Sequence, residues 1–86
     1  MRQRGALMAE TLYEGPANSA TFYLPSGGIV RFAFSERNAD GYARSRTGAL
    51  ARVYPGSRVF LSAGHHVLFL YDPTLMVRVS ITFMPD

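Results

Sequence analysis

The stretch "MVRVSITFM", residues 76–84, alternates without a break: Val77, Val79, Ile81 and Phe83 fall on one side, and Arg78, Ser80 and Thr82 on the other. A period of two is what a half-buried strand requires, because successive side chains leave a strand on opposite faces. Branched and aromatic residues hold the apolar positions, where they pack well on a pleated surface.

The same rhythm recurs upstream. "SATFYL" (19–24) sets Ala20, Phe22 and Leu24 against Thr21 and Tyr23, and Pro25-Ser-Gly-Gly28 closes it as a turn. "IVRFAF" (29–34) aims Val30, Phe32 and Phe34 inward and Arg31 outward. Two short runs, 51–54 and 58–62, flank Pro55-Gly56, a turn pair whose proline presets φ and whose glycine accepts positive φ; they read as a hairpin. Residues 35–49 form the only long polar stretch. Asp40-Gly41 gives it hairpin-turn chemistry, and Tyr42, Arg44 and Arg46 alternate after it, so a projecting hairpin or loop is expected over 35–49. The N-terminal residues 1–14 read as an extended arm, carrying Leu7, Met8 and Leu12, that leads into a first strand ending at Gly15-Pro16. Met8-Ala9-Glu10 resembles an alternative start, which would make the first seven residues an optional extension.

One segment departs from the half-buried pattern. In "SAGHHVLFLYDP" (62–73), His66, Leu68 and Leu70 share one face while Val67, Phe69 and Tyr71 share the other. A strand apolar on both sides is covered on both sides, and left bare it is an aggregation hazard. Its own arm or a neighbouring subunit must hide it. The expected fold is thus an all-β antiparallel sandwich or barrel of about six to seven short strands with an extended N-terminal arm, and residues 15–86 as one domain.

Composition sets limits. Eighty-six residues hold one core. The absence of cysteine removes disulfides and thiolate metal ligation. Charged residues make up 17% of the chain, against about 25% in an ordinary soluble domain, so there is little charge with which to cover a free monomer. Net charge is +3 and all nine basic residues are arginine, a side chain suited to interface ion pairs and phosphate contacts and also favoured by GC-rich coding. The apolar part of the N-terminus is too short for a secretory signal, and no stretch reaches the roughly 18 apolar residues of a membrane span; a virion or cytoplasmic location and no membrane partner are expected.

Catalytic chemistry is absent from the pattern. Glu10, Glu14, Glu36, Asp40, Asp72 and Asp86 are dispersed, and none stands at acid–base spacing from a histidine. Ser26-Gly27-Gly28 is too short to cradle a phosphate and reads as a turn. No enzyme and no cofactor are expected. The adjacent His65 and His66 leave a strand on opposite faces, so they share a metal only if Gly64 opens a loop.

The runs "LSAGHHVLFLYDP" (61–73) and "VRVSITF" (77–83) resemble the Gly-His strand and closing strand of periplasmic copper chaperones with a cupredoxin-like sandwich. The resemblance implies copper handling by His65 or His66 together with a methionine among Met8, Met76 and Met84. The histidine-any-methionine pair that carries copper in that family reads His66-Val67-Leu68 here.

From these observations the expected role is a non-enzymatic subunit of a larger assembly, of the phage or virus-like head or tail accessory type, decoration or connector. Its interface would comprise His66, Leu68, Leu70, Tyr71, Leu7, Met8, Leu12, Tyr42, Arg44 and Arg46. Its partners would be copies of itself or capsid and tail proteins. A second expectation is a sheet module for single-stranded nucleic acid, with Arg31, Arg52, Arg58 and Arg78 on an outer face near Tyr23, Tyr54 and Phe60. Copper handling is the third.

Overall fold

The computed structural model describes residues 9–72, 74 and 76–84. They contain eight strands: β1 (Glu10–Ala17), β2 (Ser19–Leu24), β3 (Gly28–Phe34), β4 (Gly41–Ser45), β5 (Leu50–Val53), β6 (Arg58–Leu61), β7 (Gly64–Leu70) and β8 (Val77–Met84). Two four-stranded sheets result, ordered β1-β8-β3-β6 and β2-β7-β4-β5, with every pairing antiparallel.

The pairings follow a single rule. β1 pairs with β8, β2 with β7, β3 with β6 and β4 with β5. The chain is one long antiparallel ribbon, doubled back at the β4–β5 tip and rolled up so that β3 also meets β8 and β4 also meets β7. Two sheets wound in this way are a jelly roll, and the fold is a sandwich rather than a barrel. The tip stays within the second sheet; every other connection carries the chain from one sheet to the other.

Alternation places the core. β8 turns in Val77, Val79, Ile81 and Phe83, β2 turns in Ala20, Phe22 and Leu24, and β3 turns in Val30 and Phe32, with Phe34 half-buried at its end. Phe22 meets Phe32 edge to face across the sandwich, with ring centroids 6.0 Å apart. Leu24, Val30, Phe32, Val53, Leu68 and Ile81 are wholly buried. Each large side chain hidden this way contributes about 1.5–3 kcal/mol.

Three expectations from the sequence need correction. Pro55-Gly56 does turn the chain: Gly56 has φ +81° and the Ser57 amide donates to the Tyr54 carbonyl at 2.9 Å. But β5 and β6 lie in different sheets, so it is a corner and not a hairpin. Residues 35–49 do not project. They cross between sheets and then supply β4, an internal strand between β7 and β5. The true hairpin tip lies at 46–48, where the Ser45 amide donates to the Ala49 carbonyl at 2.9 Å and Gly48 takes φ +98°, a three-residue loop closed by glycine. The first strand expected to end at Gly15-Pro16 is present but starts earlier, at Glu10, so residues 10–14 belong to it and not to an arm, while residues 1–8 of the expected arm lie outside the described residues. That strand is edge strand β1, with a bulge between Thr11 and Tyr13, and it runs through Gly15-Pro16 to Ala17. Pro16 is tolerated there because an edge strand has ladder positions that need no amide.

Candidate interaction surface

The outward positions of the second sheet assemble from its register. Ser19 aligns with Phe69, Phe69 with Tyr42, and Tyr42 with Arg52. The next row reads Thr21, Val67, Arg44 and Leu50. Tyr23 aligns with His65 in a third, beside Arg46, whose amide donates to the His65 carbonyl at 3.2 Å. The centre is therefore aromatic and apolar, with guanidinium groups on one flank.

Ring contacts organise this face. Tyr42 stacks on Phe69 at 5.4 Å and tilts against Tyr71 at 5.5 Å. The Arg44 guanidinium lies 5.2 Å from the Phe69 ring centroid, a cation–π contact. Tyr23 meets His65 at 4.9 Å. Arg52 donates to the Asp40 carboxylate at 3.2 Å, the only ion pair among the described residues. An open cleft of about 420 Å³ runs beside the β4–β5 tip, lined by Arg44, Ser45, Arg46, Thr47, Gly48, His65 and Val67. Leu50, Tyr71 and Tyr23 remain 65%, 54% and 53% exposed, so this face ends in solvent-facing apolar groups.

Several residues expected at the interface lie elsewhere. His66, Leu68 and Leu70 point between the sheets and are buried in this domain's own core, out of reach of a neighbour. Leu12 is half-buried and packs against the core from β1. Leu7 and Met8 lie outside the described residues. Tyr42, Arg44, Arg46 and Tyr71 do share the outer face, and the register adds Val67, Phe69 and Leu50. Sequence reasoning assigned β7 to both faces at once; alternation alone separates Val67, Phe69 and Tyr71 from the inward set.

The histidines point apart, as alternation requires. His66 stacks on Phe22 at 5.4 Å, and its Nε2 lies 2.8 Å from the Ser62 carbonyl oxygen, which can only accept, so Nε2 carries the proton. Its Nδ1 is buried without a hydrogen-bond partner. His65 is exposed on the opposite side. Met84 pairs with Ile29 in the other sheet, and Met76 precedes β8, so neither lies beside His65. Met8 lies outside the described residues. Among the described residues no three histidine, aspartate or glutamate side chains gather to hold a metal.

The four arginines proposed for nucleic acid divide between the sheets. Arg31, Arg58 and Arg78 take outward positions on the first sheet, with Phe60 beside Arg58. Arg52 is on the second, held by Asp40, and Tyr23 is also on that sheet. Tyr54 sits exposed at the corner between them.

No protein-family model and no curated protein matches the sequence. Among solved structures, the fold is similar to the C-terminal domain of A223, a structural protein from Sulfolobus turreted icosahedral virus. The TM-score is 0.64 over 88% of this chain and 98% of that one, at 15% identity. At that identity the likeness is one of fold. No helix among the described residues is long and apolar enough to cross a membrane.

Proposed function

We propose that this chain is a non-enzymatic structural subunit of a virus-like particle, of the head or tail accessory kind, and that it docks on its neighbours through the outer face of the β2-β7-β4-β5 sheet. The observation that carries the reading is the outer side of β7. Val67, Phe69 and Tyr71, flanked by Tyr42 and Leu50, form an apolar and aromatic band over which no other described strand packs; Tyr71 and Leu50 are exposed, and Val67, Phe69 and Tyr42 are half-buried by their neighbours on the same sheet. β1, the segment best placed in sequence to act as a covering arm, is paired into the opposite sheet.

The composition of the band suits the centre of a protein interface, where aromatic residues and arginine are enriched. Arg44 and Arg52 stand at its flank as rim groups. A second copy of the chain is the partner of this proposal, since closed homo-oligomers are the commonest assemblies. The similarity to a domain of a virus structural protein supports the particle setting.

Sedimentation velocity over a concentration series tests the reading. Concentration-dependent association at neutral pH is expected; a stable monomer at every concentration would overturn it.

A further inference from the structure

The opposite face of the sandwich carries a different chemistry. β3 pairs with β6 so that Arg31 stands directly opposite Arg58. Both are exposed and project outward. Side chains so placed have Cβ atoms about 4.5–5.5 Å apart, and like charges in that position destabilise a sheet. No described residue forms an ion pair with either of them: among the described residues the one ion pair is Arg52 with Asp40, on the other sheet. The arginines of the second sheet, by contrast, have occupations: Arg52 its carboxylate, Arg44 the Phe69 ring.

The surroundings of the pair are short and hydroxylated. Arg31 aligns with Thr82 and Thr82 with Thr11, while Ala33 aligns with Ser80 in the next row. Arg78 follows on the same side of β8, roughly 13 Å from Thr82 at the rise of a strand. Glu14, opposite Ser80 on the edge strand, is the one carboxylate at an outward position of this register. On the other flank Phe60, 65% exposed, shares the outward side of β6 with Arg58 and aligns with Ile29. Three guanidinium groups, small hydroxylated residues between them and a bare aromatic ring match the needs of an extended phosphodiester chain. Forked donors take phosphates and the ring takes a base.

We infer that the outer face of the β1-β8-β3-β6 sheet binds single-stranded nucleic acid, with Arg31 and Arg58 jointly gripping phosphate, Arg78 holding a further one and Phe60 stacking a base. This does not depend on the docking role of the opposite face, and it gives the subunit two sides: one for protein, one for polyanion. The bound phosphate also removes the repulsion that the free pair carries.

Fluorescence anisotropy with a labelled oligothymidylate of about 12 nucleotides tests it, a length within the site sizes of single-strand binding folds. Neutralising two phosphates predicts a slope of about −1.4 in log K against log salt for a single strand. The R31Q/R58Q variant should weaken binding at least tenfold and flatten the slope to about −0.7, the value for one remaining contact. Phe60→Ala should weaken binding with the slope unchanged, and R44Q/R46Q should leave both unchanged. Because R31Q/R58Q removes a like-charge pair, its melting temperature should match or exceed that of the parent, so lost binding will not reflect lost fold. Absence of binding at low salt, binding indifferent to R31Q/R58Q, equal or tighter binding of duplex, or equal displacement by polyglutamate would each overturn the inference.

Discussion

Replacing Gly41 by alanine adds one methyl group where the sandwich has no room for it. Gly41 opens β4, is buried, and has none of the positive φ that favours glycine elsewhere in the chain, so backbone strain does not enter. A Cβ there would collide with the Phe69 carbonyl oxygen and lie 2.9 Å from Leu70 Cα. Both are backbone atoms of the central strand β7, which cannot swing aside as a side-chain tip would. β4 and β7 must part locally, weakening the ladder at Gly41–Leu70 and Tyr42–Phe69. Overpacking of this kind costs about 1–3 kcal/mol, and each weakened hydrogen bond adds about 1 kcal/mol. A loss of about 3 kcal/mol follows. A domain of this size has roughly 4–13 kcal/mol in all, so the melting temperature should fall by roughly 12–24 °C. Urea denaturation followed by circular dichroism measures the free energy, and a thermal scan with the same signal measures the melting temperature. Gly56→Ala is the control: φ is +81° but space is open, so only the left-handed conformation is penalised, by about 1 kcal/mol. If Gly41→Ala costs no more than Gly56→Ala, the close approach of β4 to β7 is wrong.

Two further outcomes follow from single side chains. His66→Phe should stabilise the domain by about 1 kcal/mol, because it keeps a ring against Phe22 and removes the unpaired buried Nδ1, while the freed Ser62 carbonyl belongs to an exposed residue that water can reach; His66→Ala, leaving a cavity, should cost about 3 kcal/mol in the same denaturation assay. Asp72 accepts hydrogen bonds from the Thr74 hydroxyl at 2.6 Å and the Thr74 amide at 3.0 Å, and these hold its carboxyl below the usual aspartate range. Its contribution to stability is present above the ordinary aspartate pKa and is lost as pH falls through the lower folded value. Carbon-detected NMR titration should find the low value in the parent and a rise towards the ordinary one in Thr74→Val.

Strands with one wet face were legible because alternation carries them: β2, β3 and β8 lie where Ala20, Phe22, Val30, Val79 and Ile81 place them. β4 was not legible, for a physical reason. Its inward residues are Gly41, where the backbone of β7 leaves no room for a Cβ, and Ala43, and such small residues give no hydrophobic rhythm. Asp40-Gly41 then imitates a hairpin turn. Pro55-Gly56 announces a turn but not which sheet receives the next strand, because turn chemistry is local and the rolled ribbon is not. Phe60, apolar yet outward on β6, broke the pattern in the opposite sense. The interaction surface was half legible. Alternation in the sequence already parts Val67, Phe69 and Tyr71 from His66, Leu68 and Leu70, but only the folded sheet shows that the second set faces the core and that a neighbour can reach the first.

If subunits meet through that outer face, charge placed on it should part them. Sedimentation of the double variant L50D/Y71K beside the parent and beside R31Q/R58Q, all at matched concentration, tests this. Leu50 and Tyr71 are exposed, so the fold should survive their replacement, as circular dichroism would verify. The parent and R31Q/R58Q should associate alike while L50D/Y71K sediments as a monomer. Association of L50D/Y71K equal to that of the parent would contradict contact through that face.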